Sequence, residues 1–216
     1  MSAIWQRTVH FGFRLLYQET AFTYDAVSWA ASMGAWRCWV ETALRHLPAG
    51  GPVLELAHGP GHLQVTLAQQ GIHAAGIDLS PQMGRQAQRR LARKGHTARI
   101  AQARAQALPF AGATFSAVIS TFPAEFIVQP ETLAEVWRVL RPGAPLIIVP
   151  SASFRSGGPI SAVLEWAYRV TGQRRGQQAA ESGLAHYFEP HGFALDVFEE
   201  ACPRSTALVI VARKIP

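Results

Sequence analysis

The stretch VLELAHGPGHL at 53–63 constrains this chain more than any other: an apolar run with one glutamate, then two glycines two positions apart. A glycine pair directly after a first strand and before a helix lets backbone approach a ligand closely, beside the partial positive charge of a helix start. A dinucleotide fingerprint would place a third glycine at position 64, where this chain has Gln64. The spacing is instead acidic, small, glycine, glycine, carried by Glu55, Ala57, Gly59 and Gly61, which weakens a nicotinamide reading.

Downstream of Pro52, strand-like and helix-like runs alternate, the signature of a parallel sheet covered by helices. Strands are expected over 53–57, 74–78, 98–101, 115–120 and 146–149. Helices are expected over 61–70, 81–94 and 130–140, with Ser80 capping and Pro81 opening the second. RPG at 141–143 reads as a helix stop and turn. SASFRSGGP then reads as loop, and ISAVLEWAYRVTG as an inserted helix, giving a candidate lid over about 151–175. A helix over 177–190 follows, and FALDVFEEA and STALVIVARK close the chain as an antiparallel hairpin turned at Cys202, Pro203 and Arg204.

The first 50 residues are helical in pattern and rich in Trp, Tyr and Phe, so they are expected to cap the ligand end of the sheet. Two parts result: a helical cap over 1–50 and one compact domain over 51–216. Apolar residues at 49% and charged residues at 16% suffice for a substantial core.

The second strand ends in Asp78, where a carboxylate can accept hydrogen bonds from both hydroxyls of a ribose. A glycine loop with a strand-end acid implies a nucleoside ligand. Here the chain resembles the class I S-adenosylmethionine-dependent methyltransferases. VLELAHGPGHL is similar to the family's first motif, GIDLSPQM to its second, and ALPFAGATFSAVIS to its third and fourth; TLAEVWRVLRPGAPLIIV is similar to the helix and strand that follow. The resemblance implies an α/β, Rossmann-like doubly wound sheet of seven strands with an antiparallel last strand, and S-adenosyl-L-methionine as cofactor. It further implies that Glu55 and the Ala57 backbone hold the methionine amino group, Gly59 and Gly61 the sugar and methionine region, and Asp78 the ribose. Leu79 and Met83 would flank the adenine, and Tyr24 and Thr121 would complete the pocket.

The chain departs from the family pattern twice. Ala57 stands at the usual first glycine, and since alanine disfavours positive φ, none is expected there. Arg104 stands where many relatives carry an aspartate that accepts from the adenine amino group, a task a guanidinium cannot perform. Ala105 backbone and the Gln106 side chain are expected to read the adenine edge instead, with Arg104 stacking on a ring, pairing with an acid such as Glu125, or facing solvent.

YDAVSWAASMGAWRCW, at 24–39, is similar to a stretch near the start of ubiquinone and menaquinone C-methyltransferases, but TFPAEFIVQP lacks those enzymes' asparagine-bearing segment. Aromatic residues at Phe11, Phe13, Tyr17, Phe22 and Trp29 suit either a pocket for an apolar acceptor or a core. If the acceptor needs a base, the candidates are His10, Tyr17, Tyr24, Glu125 and His186. His58 and His62 straddle a turn with no third ligand nearby in sequence, so no metal site is expected.

The net charge of +6 includes Arg85, Arg89, Arg90, Arg93 and Lys94 on one helix, either an ordinary solvated face or a contact with an anionic membrane surface. A nucleic-acid partner is disfavoured because TFPA replaces a target-base motif, leaving a small-molecule substrate. The longest weakly polar stretch, at 26–36, falls short of the roughly 20 apolar residues of a membrane span. With no secretory signal visible, Cys38 and Cys202 are expected as free thiols in a cytoplasmic protein.

Overall fold

Runs such as AVI at 117–119 and LIIV at 146–149 are apolar at every position, as expected of strands covered on both faces. The computed structural model describes residues 32–154 and 186–215. In it β1 (Val53–Leu56), β2 (Ala74–Asp78), β3 (Ile100–Gln102), β4 (Ala117–Thr121), β5 (Pro145–Phe154), β6 (Phe193–Cys202) and β7 (Ser205–Lys214) form one sheet, ordered β3-β2-β1-β4-β5-β7-β6. The first five strands are parallel; β7 is antiparallel to β5, and β6 is antiparallel to β7.

Alternation along the strands divides the core between the two faces. Leu54, Leu56, Val118, Leu146, Ile148 and Ile210 pack on one side with α4 (Pro130–Val139) through Leu133, Val136 and Val139. Val53, Ala117, Ile119, Ile147, Val149 and Val209 pack on the other with Trp39 of α1 (Trp36–Glu41) and Leu63 and Leu67 of α2 (His62–Gln69). The remaining helix, α3 (Pro81–Arg93), buries Met83, Ala87 and Leu91 and begins with Ser80 Oγ accepting the Met83 N–H at 3.3 Å. α4 ends against Lys214, whose Nζ donates to the carbonyls of Trp137 at 2.8 Å and Leu140 at 2.9 Å, placing a cation at the negative end of the helix.

Several expectations change. β5 continues through SASF instead of giving way to a loop, because β7 is ten residues long and resumes pairing beyond an irregularity, from Ser151 with Leu208 to Phe154 with Ser205. The described part of the cap lies on one sheet face: Trp39 and Ala43 are buried against it, and Trp36 reaches the end of β4 by stacking on Phe122. Cys38 and Cys202 are not free but joined in a disulfide, since α1 packs beside the β6–β7 hairpin with the two Cα atoms 6.0 Å apart. Of the helix expected over 177–190, the described part is one helical turn at 186–188 followed by a 3-10 turn, Glu189–His191. The lid beyond Phe154 and the aromatic residues before Ser32 lie outside the described residues. No helix among the described residues is long and apolar enough to cross a membrane.

Candidate cofactor site at the strand ends

Leu56 stands level with Ile77 and Ser120, so β1, β2 and β4 finish together and bring the 57–61 loop beside Asp78 and Thr121. Ala57 opens that loop with φ 54°, followed by Gly59 at 54° and Gly61 at 84°. The expectation that Ala57 avoids positive φ is thus wrong: the loop needs a left-handed residue there, and alanine bears a cost of about 1–2 kcal/mol for it.

The two glycines do different work. A Cβ on Gly59 would meet nothing within 4 Å, so its outer side is open. A Cβ on Gly61 would lie 2.6 Å from Ala87 Cβ and 2.8 Å from Ala87 Cα, so Gly61 lets α3 close against the loop. Asp78 ties the loop to β2: Gly59 N–H donates to Oδ2 at 2.9 Å, and Ser80 N–H to Oδ1 at 2.8 Å. Each carboxylate oxygen keeps acceptor capacity for a second donor.

Beneath the loop lies a layer of polar residues. His58 is buried and its Nδ1 donates to Gly59 O at 2.7 Å, which fixes the proton on Nδ1. Burial lowers the His58 pKa, keeping the ring neutral, and Nε2 has no partner. Glu55 is 2% exposed and accepts from Gln64 Nε2 at 2.8 Å. Burial raises its carboxyl to about 8, so Glu55 is a neutral acid at pH 7. Gln64, at the missing third glycine, and His58 together occupy the space over Gly76, where a Cβ would lie 2.9 Å from Gln64 Nε2 and 3.0 Å from His58 Cδ2. Sequence reasoning gave neither residue this role, although glutamine at position 64 was the visible signal.

Of the two residues expected to flank an adenine, Leu79 is 61% exposed and offers an apolar surface, whereas Met83 is 2% exposed and belongs to the α3 packing layer. Arg104 is exposed and has no salt bridge to Glu125, which is itself exposed in the 3-10 turn Glu125–Val128. Ala105 is buried, and Gln106 Nε2 donates to Gln129 Oε1 at 2.6 Å, so this side chain is already engaged. The segment is clipped to α4: Arg138 donates to Phe110 O at 2.7 Å and Leu108 O at 3.0 Å, while Glu135 accepts from Leu108 N–H at 2.7 Å.

Thr121 is half-buried at the end of β4, next to Phe122, which adopts φ 48° and stacks on Trp36 with ring centres 4.4 Å apart. His186 does not join this group. Its segment enters β6 at Phe193, opposite Lys214, beside the amino end of β5, so it belongs to the far end of the sheet. Tyr24, Tyr17 and His10 lie outside the described residues.

The residues present fit S-adenosylmethionine in part. The Asp78 carboxylate, the open side of Gly59 and the exposed Leu79 share one end of the sheet and offer ribose acceptors, close backbone approach and an apolar surface.

Residues 53–143 match the model of a methyltransferase domain. The demethylmenaquinone methyltransferase of Thermus thermophilus is 33% identical over 141 residues, covering 62% of this chain and 63% of that protein. The chain thus spans about six-tenths of the length of the curated relatives it matches. Among solved structures, a SAM-dependent methyltransferase from Methanosarcina mazei aligns with a TM-score of 0.56 at 20% identity, covering 81% of this chain and 97% of that one. The geranyl diphosphate C-methyltransferase of Streptomyces coelicolor, in complex with Mg2+, geranyl diphosphate and S-adenosyl-L-homocysteine, aligns with a TM-score of 0.62 at 12% identity, covering 82% and 79%. Residues 53–143 thus match a methyltransferase domain, and they lie within a seven-stranded sheet that has the fold of the S-adenosylmethionine-dependent methyltransferases.

Proposed function

We propose that the protein transfers a methyl group from S-adenosyl-L-methionine to a small, apolar or aromatic acceptor. The observation that carries this reading is the Asp78–Gly59 hydrogen bond, which joins a strand-end carboxylate to a loop whose outer side is open. Asp78 would orient the ribose, Gly59 would admit the ligand against backbone, and Leu79 would cover one side of the adenine. The cofactor supplies a methyl group already activated on a sulfonium, so alignment and desolvation can provide much of the rate. Trp36 and Phe122 furnish an aromatic wall beside Thr121 that suits an apolar acceptor. Glu125 is the described acid–base candidate at this end of the sheet; Tyr24, Tyr17 and His10 stand on sequence alone.

A second reading, a quinone or lipid methyltransferase at a membrane surface, draws on the exposed Arg85, Arg89 and Arg93 of α3 and on the name of the Thermus relative. A third, a module that binds S-adenosylmethionine without transfer, draws on Arg104. Calorimetry with S-adenosylmethionine and S-adenosylhomocysteine followed by an acceptor screen separates them. Binding with turnover of a soluble acceptor supports the first reading, turnover only on vesicles the second, and binding without turnover the third. Failure to bind either compound removes all three.

A further inference from the structure

We propose that the Cys38–Cys202 disulfide is a reversible redox clamp, opened by thiol–disulfide exchange with a dithiol, that sets the aromatic wall of the candidate site. The bond joins residues 164 apart in sequence and pins α1 to the turn end of the β6–β7 hairpin. Its effect concentrates where the site needs order. Next to Cys38, Trp39 Nε1 donates to Ser205 Oγ at 2.9 Å, and Ser205 is the register partner of Cys202. Two residues before Cys38, Trp36 stacks on Phe122, a left-handed residue also held by its N–H to Val149 O at 2.7 Å and by contact with the Trp39 ring. A strained residue persists only while its surroundings over-determine it, so loosening α1 removes one of the supports on Phe122 and, through it, on Thr121.

The two sulfurs are unequally accessible. Cys202 is 6% exposed, whereas Cys38 is half-buried and lines a surface cleft of about 570 Å³ with Arg37, Glu41, Leu44, Arg45 and Gln70. A dithiol entering there attacks the Cys38 sulfur as thiolate and forms a mixed disulfide, while Cys202 leaves as thiolate and takes a proton. The second thiol of the reductant then displaces Cys38, so the reductant becomes a disulfide and the protein gains two electrons and two protons. Arg37 and Arg45 favour the departing thiolate, moderated by their pairing with Glu41 and Glu200. Arg45 and His46, in the 3-10 turn Thr42–His46 that follows α1, also bind Glu200 of β6, so this turn stays on the hairpin while α1 loosens when the covalent link opens.

This inference rests on the proposed function only for the wall's role, and the test separates the two. The full chain, kept without reductant, is compared before and after dithiothreitol by alkylation mass, tryptophan emission, thermal melting and S-adenosylhomocysteine calorimetry. The expected result is no alkylated thiol before and two after, with the melt lowered by roughly 5–15 °C. Tryptophan emission shifts, and ligand affinity falls at least fivefold. All four return on reoxidation. The variant carrying Cys38→Ser and Cys202→Ser should resemble the reduced protein with or without dithiothreitol; if it fails to fold, the wild-type comparison still decides. Two free thiols in air-oxidised protein, or reduction that moves neither melt nor emission, overturns the clamp. Loss of ligand binding in both states counts against the proposed function, while thiol count, melt and emission still judge the clamp.

Discussion

Ala87 of α3 fills the space where a side chain on Gly61 would stand, its Cβ and Cα 2.6 and 2.8 Å from the position of an added Cβ. Gly61 also sits at φ 84°. Gly61→Ala should therefore cost about 3 kcal/mol through backbone strain and overpacking, read as a lowered melting temperature. Ala87→Gly should recover only part of this, because the Ala87 Cα remains in the way. Gly59→Ala meets no neighbour and should cost about 1–2 kcal/mol for its φ, with its larger effect on cofactor affinity in calorimetry.

Ala57→Gly relieves a left-handed alanine and should raise stability by about 0.5–1 kcal/mol, after the added chain entropy of glycine is subtracted. Ala57→Val should destabilise by more than the wild-type strain, since a β-branched residue tolerates that φ least. Urea titration of both variants checks the order.

Glu55 gives a pH signature. Its pKa, raised by burial to about 8, means the folded chain holds a proton that the unfolded chain has released above its ordinary value of 4.5. The neutral carboxyl's contribution is thus fully present below pH 4.5 and is lost as pH rises toward 8, at up to about 1.4 kcal/mol per pH unit. Glu55→Gln should flatten the stability profile between pH 5 and 8, measured by chemical denaturation across that window.

Arg138→Ala cuts the clip on the loop that carries Arg104, Ala105 and Gln106, removing donors to Leu108 O and Phe110 O. The expected cost is about 1–2 kcal/mol, with faster hydrogen exchange confined to 104–110.

Arg104→Asp restores an acceptor at an exposed position and should leave stability within about 0.5 kcal/mol. Affinity for S-adenosylmethionine should rise five- to tenfold by calorimetry. Unchanged or weaker binding would mean that Arg104 is no handicap to adenine recognition.

β2 and α3 were legible almost to the residue because their limits are written in local chemistry: an acidic strand end, then Ser80 and Pro81 to start a helix. The length of β5 was not, since residues 151–154 become strand only through a partner more than fifty positions away. Nor was the disulfide, which depends on how α1 lies against the final hairpin. The glycine loop was readable as a turn between strand and helix, but its division of labour was not: only the placement of Ala87 shows that Gly61 serves packing while Gly59 stays open. Ala57 misled because the residue type was taken as a guide to φ, whereas the tertiary frame imposes the conformation. His186 misled because its position in the sequence gives no indication of which end of the sheet its segment serves.

The strand order carries a consequence for how the chain is assembled. β6 is made before β7, yet in the finished sheet β7 lies between it and β5. During vectorial synthesis β6 must therefore wait, its hydrogen-bonding groups without their sheet partner, until residues 205–214 have left the ribosome and can slot between two strands already made. The two-residue turn at Pro203 and Arg204, between the paired Cys202 and Ser205, makes the two strands a single late-arriving hairpin. The parallel part of the sheet, with the glycine loop, can form first and present β5 as the edge on which that hairpin docks.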